Sequence, residues 1–571
     1  MRDQIVDNDI NKLPSTSPNF RTDLAKKLEE LVPEAIADGK VDVVKLKELL
    51  AEDAGEPNER FGLFWPGKKQ ALRAAQEPTT ATLRPAKDES KDWDTTNNIF
   101  IEGDNLEVLK VLQKQYHNSI KMIYIDPPYN TGKDFVYPDN FKEGLQNYLE
   151  FSQQVDEGNK KISTNTETAG RYHSNWLNMM YPRLKLARNL LTDDGVIFIS
   201  IDDAEQANLK KICDEIFGEG NFVSQIVWQK KYAPQNDAKY FSTSHDYILI
   251  YARSIERFSR NLLPRSKEQL ARYKNIDNDP RGPWQSDNFT VATYSASYDY
   301  PITLPSGRTI NPTPGRCWRT SYENYKKLVA DNRISFGLDG DNVPRIKRFL
   351  SEVQDGSVPE TLWLYKDVGH NQGAATSLKN LMDGKKYFDY PKPVTLIEFM
   401  AKIASSRDSL ILDFFAGSAT TAHAVMQLNA EDGGNRKHIM VQLPEPTDEK
   451  SEAFKAGYKK ISDIARERIN RAGEKIKVDF ADKLAERETP LDVGYRTYKL
   501  ADTNFTKWQS APTGDLTELQ ARLDLMRESS NDNASEEDLL VEVLLKMGLP
   551  LTTRTQTVDV DGLHVYQVVA E

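Results

Sequence analysis

Residues 121–137 read KMIYIDPPYNTGKDFVY, and the way this stretch ends governs how the rest of the chain is read. Met122, Ile123, Tyr124 and Ile125 form a short β-branched and aromatic run, the composition of a buried strand. Pro127 and Pro128 stop it, because neither can donate to a sheet ladder and each disfavours the helical region in the residue before it. Asp126 therefore falls at a strand's carboxyl end on a stiff turn, with Tyr129 just beyond. In open α/β sheets ligands bind at that edge. Taken alone, the tetrapeptide reads equally as a strand-end turn with a capping aspartate.

The flanking sequence supplies the sheet. NIFIEGDNLEVLKVLQKQY (98–116) reads as a strand over Ile99–Ile101, an acidic turn at Gly103-Asp104 and an amphipathic helix. With the strand before Asp126 this makes a βαβ unit and a parallel strand pair. A turn at Pro66-Gly67 opening into a helix precedes it, and residues 135–170 are polar enough to be a long loop. Ser174 is placed to cap a helix that turns Leu177, Met180, Leu184 and Leu191 inward, and Val196–Ile201 is the next strand. A helix follows at 204–218. The rhythm breaks over 221–375, rich in Tyr, Ser, Asn and Pro with turn signals such as PSGR and DGDN, and resumes at FDYPKPVTLIEFMAKIA (388–404).

Composition bounds the rest. A chain of 571 residues, 39% hydrophobic and 28% charged, suits three or four soluble units. It has no apolar run near the ~20 residues that span a bilayer, and its N-terminus lacks an apolar signal core. A cytoplasmic protein without a membrane partner is the expectation. Cys213 and Cys317 cannot make a disulfide framework, and neither they nor the seven histidines show metal-ligand spacing. Asp202-Asp203 lacks a third ligand at useful spacing and reads as an acidic strand-end turn, so no metal is expected. Net charge is −11, yet residues 221–350 hold 20 Lys/Arg against 12 Asp/Glu, with 19 aromatic residues. Basic charge interleaved with aromatics is what a nucleic-acid-gripping module needs, although a β-rich core accounts for many of the rings.

LILDFFAGSATT (410–421) is the second chemical signal. Asp413 ends an apolar strand, Phe414-Phe415-Ala416-Gly417 turns, and a helix begins near Thr420. A glycine lets backbone approach a ligand, and a helix amino end offers free N–H groups. The motif is neither GxGxxG nor a P-loop. Two special turns at the carboxyl ends of buried strands can share one crevice at the switch point of a doubly wound sheet, one holding a cofactor and the other a substrate. The reading requires the turns at Asp126 and Gly417 to face each other, although they lie nearly three hundred positions apart.

These residues resemble a known family. The order DPPY, inserted domain, DFFAGSATT is similar to the permuted β-class S-adenosylmethionine-dependent amino-methyltransferases of DNA. The likeness is closest to the modification (Mod) subunits of type III restriction–modification systems, through FGLFWPGK, FIEGDNLEVLKVL, YIDPPYNTGKDFVYPDNF, FDYPKPVTLIEF and LDVGYRTYKL. It covers roughly residues 57–500. It implies an α/β fold: a doubly wound, circularly permuted Rossmann-like sheet with an inserted β-rich target-recognition domain. The expected divisions are an N-terminal helical region at 1–56, a catalytic half at 57–220, a recognition domain at 221–375, a cofactor half at 376–500, and a tail at 501–571 that docks a dimer mate or partner. The implied reaction is methyl transfer to N6 of a flipped-out adenine in a short site in double-stranded DNA. Asp126, Pro127, Pro128 and Tyr129 would be catalytic, with the Asp126 carboxylate and the Pro127 carbonyl accepting from the amine and Tyr129 stacking on the base.

For the cofactor, S-adenosylmethionine, the resemblance implies contacts from Asp413, Phe415 and Gly417, with Asp104 accepting from its adenine and Lys392 closing over its methionyl end. Gln442 stands where many β-class enzymes carry an acid for the ribose hydroxyls, with Glu445 an alternative, and Ala419 replaces a usual glycine. A homodimer and a helicase–nuclease restriction subunit are the implied partners. Two other readings stay open: a DNA-binding specificity subunit with weakened or lost transfer, and the same chemistry on N4 of cytosine or on RNA.

Overall fold

A strand buried on both faces has to be apolar at nearly every position. Ile99–Glu102, Ile120–Ile125 and Leu410–Asp413 have that character, and Ile439, Met440 and Val441 carry it through the middle of Lys437–Gln442. The computed structural model describes residues 62–131, 172–236, 238–505, 534–560 and 563–569, with a few isolated positions before residue 42. The helices expected in 1–56 and the loop expected over 135–170 lie outside the described residues, apart from a two-residue antiparallel pairing of Ile36–Ala37 with Lys40–Val41.

The large sheet has ten strands, labelled here in chain order: β1 Thr82–Pro85, β2 Ile99–Glu102, β3 Ile120–Ile125, β4 Leu191–Ile201, β5 Phe222–Gln229, β6 His245–Ala252, β7 Leu362–Trp363, β8 Leu410–Asp413, β9 Lys437–Gln442 and β10 Arg496–Ala501. Their order is β7-β5-β6-β4-β3-β8-β9-β2-β10-β1. The central ladder from β4 through β3, β8, β9 and β2 to β10 is parallel throughout. The chain enters at β2, crosses to β3, works outward through β4, and returns much later to lay β8 against β3. The β3–β8 seam is therefore where the winding direction reverses.

Helices cover both faces. On one lie α1 (Lys68–Gln76), α2 (Asn105–Leu112), α3 (Tyr172–Leu190) and α4 (Gln206–Phe217), packed on Ile99, Ile101, Ile123, Ile125, Ile197 and Ile199. On the other lie α5 (Val394–Ala404), α6 (Thr420–Asp432) and α7 (Ile461–Asp479); α6 and α7 enclose Phe100 and Met440. Alternate residues of one strand serve the two layers, as the period of a strand demands.

Three details depart from the sequence reading. α3 begins at Tyr172, so Ser174 lies inside it and caps nothing. β4 begins at Leu191, not Val196: Leu191 pairs with Ile120, and the register then slips so that Val196 pairs with Met122. Gly195 sits in that irregularity, where a Cβ would come within 2.9 Å of Thr192 O and 3.0 Å of Ile120 O. The stretch 222–252 belongs to the large sheet, because Ile248, Leu249, Ile250 and Tyr251 are core residues of it.

The separate unit is shorter than 221–375 and runs from Leu262 to Pro359. It is built on an antiparallel sheet of Trp284–Asn288, Arg345–Phe349 and Ile334–Ser335, with a helix at Tyr322–Ala330. Phe289, Trp318 and Tyr325 form its core with Ile302, Leu304 and Ile334, so these rings are structural. Much of its positive charge is met by its own acids, in the pairs Arg281–Asp279, Arg308–Asp341, Arg319–Asp287 and Arg333–Glu352.

The tail's helix α8 (Glu536–Met547) docks on this chain's own sheet edge. The buried Glu542 accepts from Asn504 N at 2.7 Å, and Tyr498 Oη donates to Leu551 O at 2.7 Å. The edge strand β1 is thereby shielded, as exposed edges generally must be.

The two halves of the sheet are also joined by a buried polar chain. Arg183 on α3 donates to Asn105 Oδ1 at 2.5 Å, to Met179 O at 2.7 Å and to Asp104 at 3.3 Å. Asn105 in turn donates to Phe414 O at 2.8 Å, beyond β8. Removing one member of a buried ion pair leaves its partner uncompensated. Arg183→Met is expected to destabilise the protein by about 3–5 kcal/mol, read as a fall in the urea midpoint at unchanged slope.

Candidate active site

The β3–β8 seam brings the two special turns together. Ile411 pairs with Met122 and Leu412 with Ile123, so Asp413 lies beside Tyr124. Paired residues share a face, and the alternation places Asp413, Tyr124 and Ser200 on the same side of the sheet, with Asp126 continuing that row just past the strand end. Tyr124 Oη and Ser200 Oγ are 3.1 Å apart.

The Asp126 turn is held from several sides. Trp176 on α3 donates to Pro128 O at 2.7 Å. Asn130 adopts a left-handed backbone with φ of 61°, which asparagine tolerates better than most residues. Its side chain donates at 2.5 Å to Glu205, a fully buried acid that also meets His173 at 2.6 Å and Asn208 at 2.7 Å. Pro127 is buried and Pro128 half-buried, so the acid is presented on a backbone with little freedom.

Asp126 itself is asymmetric. Its Oδ2 accepts from Lys392 Nζ at 2.5 Å, whereas Oδ1 is buried and has no hydrogen-bond partner among the described residues. The Lys392 ammonium also stands 5.1 Å from the centre of the Tyr129 ring. The Tyr129 hydroxyl is buried too, and burial first, then the charge of Asp126 and the side-chain interaction with it, push its pKa well up. Lys392 comes from the stretch leading into α5, so DPPY and YPKP, read separately from the sequence, meet in one ion pair.

The second turn is braced from behind. Asp413 Oδ1 accepts from Phe415 N at 3.0 Å and Oδ2 from Thr421 Oγ1 at 2.6 Å. Gln442 Oε1 accepts from Gly417 N at 2.7 Å, and its amide donates to Leu443 O at 3.1 Å. Gly417 has φ of 54° and is the most open residue of the turn; a Cβ there would lie 3.4 Å from the Phe388 ring. Phe415 is buried beside Phe414 at the end of the core. Asp104 caps α2, accepting from Leu106 N at 3.0 Å and Glu107 N at 3.1 Å. Asp413, Gln442 and Asp104 thus shape backbone, while Lys392, Phe415 and Gly417 stand at the seam.

Ala419, the departure from glycine, takes the left-handed conformation glycine favours, with φ of 59°. It is fully buried and belongs to the apolar cluster of Phe100, Met426, Ile469 and Ala472, which lies under α6.

Sequence reasoning missed the pair Lys230–Asp246. Trp228 and Asp246 are partners across β5 and β6, and the register of β6 against β4 sets Asp246 on the same face as Ser200 and Tyr124. Lys230 Nζ lies 2.5 Å from Asp246 Oδ1, and the acid is buried. Burial, reinforced by Asp126 and opposed by Lys230 and Lys392, pushes the Asp246 pKa up to about 6. The signal was available in HDYILIYA, an acid one residue into an otherwise apolar strand. Among the described residues no group of three potential metal ligands occurs, and no helix is long and apolar enough to cross a membrane.

Burial also pushes the Asp413 pKa up to about 7; its bonds to Thr421 and Phe415 N oppose the rise and Asp126 adds to it. The folded chain then holds a proton on Asp413 that the unfolded chain releases near pH 4, so stability falls as pH rises from about 4 to 7. Asp413→Asn, which keeps the oxygen that accepts from Phe415 N or Thr421, is expected to flatten this slope. Urea midpoints at pH 5 and pH 8 for both proteins measure it.

Comparison with known proteins agrees with this geometry. Residues 120–440 match a family model described as DNA methylase, N6_N4_Mtase. The chain is 38% identical over 508 residues to the type III restriction-modification enzyme StyLTI Mod subunit of Salmonella typhimurium, covering 85% of this chain and 75% of that one. It is 35% identical over 476 residues to the EcoPI Mod subunit of Escherichia phage P1, covering 76% and 71%. It is also 31% identical over 395 residues to the type II methyltransferase M.KpnI of Klebsiella pneumoniae, covering 66% and 87%. With both turns at one seam and relatives matched over most of their length, the chain belongs to the family of type III restriction-modification Mod subunits, which are DNA methyltransferases.

Proposed function

We propose that this chain transfers a methyl group from S-adenosylmethionine to N6 of an adenine flipped out of double-stranded DNA. In this reading it is the modification and specificity subunit of a type III system. The observation that carries the reading is Asp126 Oδ1, a buried carboxylate oxygen without a donor among the described residues, on a carboxylate whose other oxygen Lys392 holds. A buried acceptor left unpaired is costly unless a ligand supplies the missing N–H.

The adenine amine is a poor nucleophile because its lone pair is delocalised into the ring. Oδ1 and the Pro127 carbonyl offer two fixed acceptors for its two N–H groups. Together they favour a tetrahedral nitrogen with its lone pair free to attack. Lys392 keeps the carboxylate from rotating. The proton shed by the nitrogen after transfer passes to Asp126. Tyr129 stacks on the base, and the amide–proline geometry supplies orientation without a covalent nucleophile.

The residues present fit the cofactor. Gly417 leaves the turn open, α6 brings a helix amino end to it, and the Lys392 ammonium can meet a carboxylate. S-adenosylmethionine, when bound, supplies a methyl group on a sulfonium. Phe415, Gly417 and Lys392 would touch it. Asp413, Gln442 and Asp104 would act through the backbone they hold, which leaves Glu445, just past β9, as the acid for the ribose hydroxyls. Because the Ala419 methyl packs into the core, the sequence's one argument for lost transfer loses its force.

The unit Leu262–Pro359 is the proposed reader of the DNA site, and a restriction (helicase–nuclease) subunit and a second copy of this chain are the proposed partners. The names of the relatives, Mod subunits of restriction-modification enzymes, support the first partner. The homodimer rests on the family resemblance.

Purified protein with radiolabelled S-adenosylmethionine and genomic DNA is expected to yield labelled N6-methyldeoxyadenosine after digestion to nucleosides. Label on N4 of cytosine would replace the adenine assignment, and no label on any DNA would remove the reading. Asp126→Asn is expected to lower transfer by about 10²–10³-fold, as removing a fixed transition-state partner does. Cofactor binding by calorimetry should be unchanged.

A further inference from the structure

The connection between β5 and β6, residues 230–244, leaves the sheet at the edge that carries Asp126. β5 runs parallel to β4 and β3, because it and β4 are each antiparallel to β6. β6 is two strands from β3, about 10 Å sideways. The root of this connection is fixed. Lys230 is tied to the buried Asp246, Asn371 N donates to Lys230 O at 3.0 Å, and Lys231 N donates to Ser244 O at 3.2 Å. Gln235 N donates to Ser242 Oγ at 2.7 Å.

Its outer part is different. Tyr240 is 80% exposed and Phe241 94% exposed, so neither ring contributes to the core. Lys239 Nζ lies 5.0 Å from the centre of the Tyr240 ring, and Lys231 Nζ donates to Gln235 at 2.9 Å. Neither lysine has an acidic partner among the described residues. Adjacent exposed rings flanked by unneutralised cations on an anchored loop match one surface closely: a polyanion whose interior is a stack of flat apolar faces.

We infer that Phe241, with Tyr240 beside it, is the wedge that enters the DNA base stack as the target adenine leaves it. The inference rests on the base-flipping reading above. An extruded base leaves a gap, and apolar side chains inserted between base steps are a known way to hold duplexes open. β6, where the connection ends, is offset from β3 by about 10 Å, comparable with the ~12 Å width of the major groove. A loop rooted there can reach the same duplex as the Asp126 turn, which would hold the flipped base while Phe241 fills its vacated place. Lys231 and Lys239 meet the phosphates on either side.

The site modified by the wild-type protein is first mapped by single-molecule sequencing of DNA from cells expressing it. Two duplexes are then compared, one fully paired and one with an abasic site opposite the target adenine. Phe241→Ala is expected to lower kcat/KM on the paired duplex by about tenfold or more. The loss should shrink to about twofold on the abasic duplex, where leaving the stack is already easier. Phe241→Trp should restore the paired rate, and 2-aminopurine at the target should brighten with wild type far more than with Phe241→Ala. Equal losses on both duplexes, or no loss on either, overturn the assignment, the second placing Phe241 in a contact with protein instead. Failure of the methyltransferase reading is distinct, because wild type would then label neither duplex.

Discussion

The parallel pairing of β3 with β8 is the constraint on which the molecule depends. Two registered pairs, Met122 with Ile411 and Ile123 with Leu412, bring segments from opposite halves of the chain side by side. β8 ends in Asp413 and β3 is followed at once by Asp126, and the shared register puts Asp413 beside Tyr124, two residues short of Asp126. The intervening chain is not an obstacle. Loop-closure entropy grows only with the logarithm of length, so a long insertion between the strands costs little more than a short one. What matters is that β4, β5, β6 and β7 are laid down on one side of β3, and β9 and β2 on the other side of β8. The crevice at the seam is a product of strand order.

Charge follows from the same alternation. Asp413, Asp126 and Asp246 come from three strands of one face, and three carboxylates so close would repel one another. Asp413 is buried and holds its proton up to about pH 7. Asp246 is matched by Lys230, and Asp126 by Lys392. Of the three, Asp126 alone has a buried oxygen without a donor among the described residues, whereas both oxygens of Asp413 accept hydrogen bonds. Burial raises a carboxyl's pKa and an adjacent cation lowers it, and Asp246, which meets Lys230 as well as burial, is raised less than Asp413.

Local patterns carried the frame of this fold and lost it where side chains choose partners. Paired prolines after an apolar run marked the end of β3, and an acid, two rings and a glycine marked the end of β8; both are backbone statements, legible from residue type. The side chain of Asp104 caps α2 through Leu106 N and Glu107 N, as an acid before an amphipathic helix commonly does, whereas the bond from Gly417 N to Gln442 joins two turns and no spacing rule reveals it. Lys230 and Asp246 were hidden in a stretch assigned to the insertion, because two hydrophobic strands of a large sheet look like strands of a small β unit. Their membership depends on pairing with β4, a long-range fact. The start of α3 was misjudged for a local reason: a serine before an apolar run favours a cap, but Tyr172 and His173 continue the helix upstream and His173 is held by Glu205.

Ala419 shows why the second turn looks weak as a motif and is firm as a structure. A non-glycine residue in the left-handed region costs about 1–2 kcal/mol. Here the methyl lies in a packed apolar cluster, and its burial offsets part of that strain. The turn does not rely on glycine at this position for its shape. Asp413 fixes its start through Phe415 N and Thr421, and Gln442 fixes its centre through Gly417 N. A backbone held at both points tolerates a side chain wherever that side chain faces the core. Gly417 is the position that remains sensitive, because its φ of 54° strains any side chain and a Cβ there would enter the open part of the turn with no core packing to offset the strain. The residue types that define a binding turn are therefore those on its cleft side, and a single alanine on its core side carries no information about whether the turn still works.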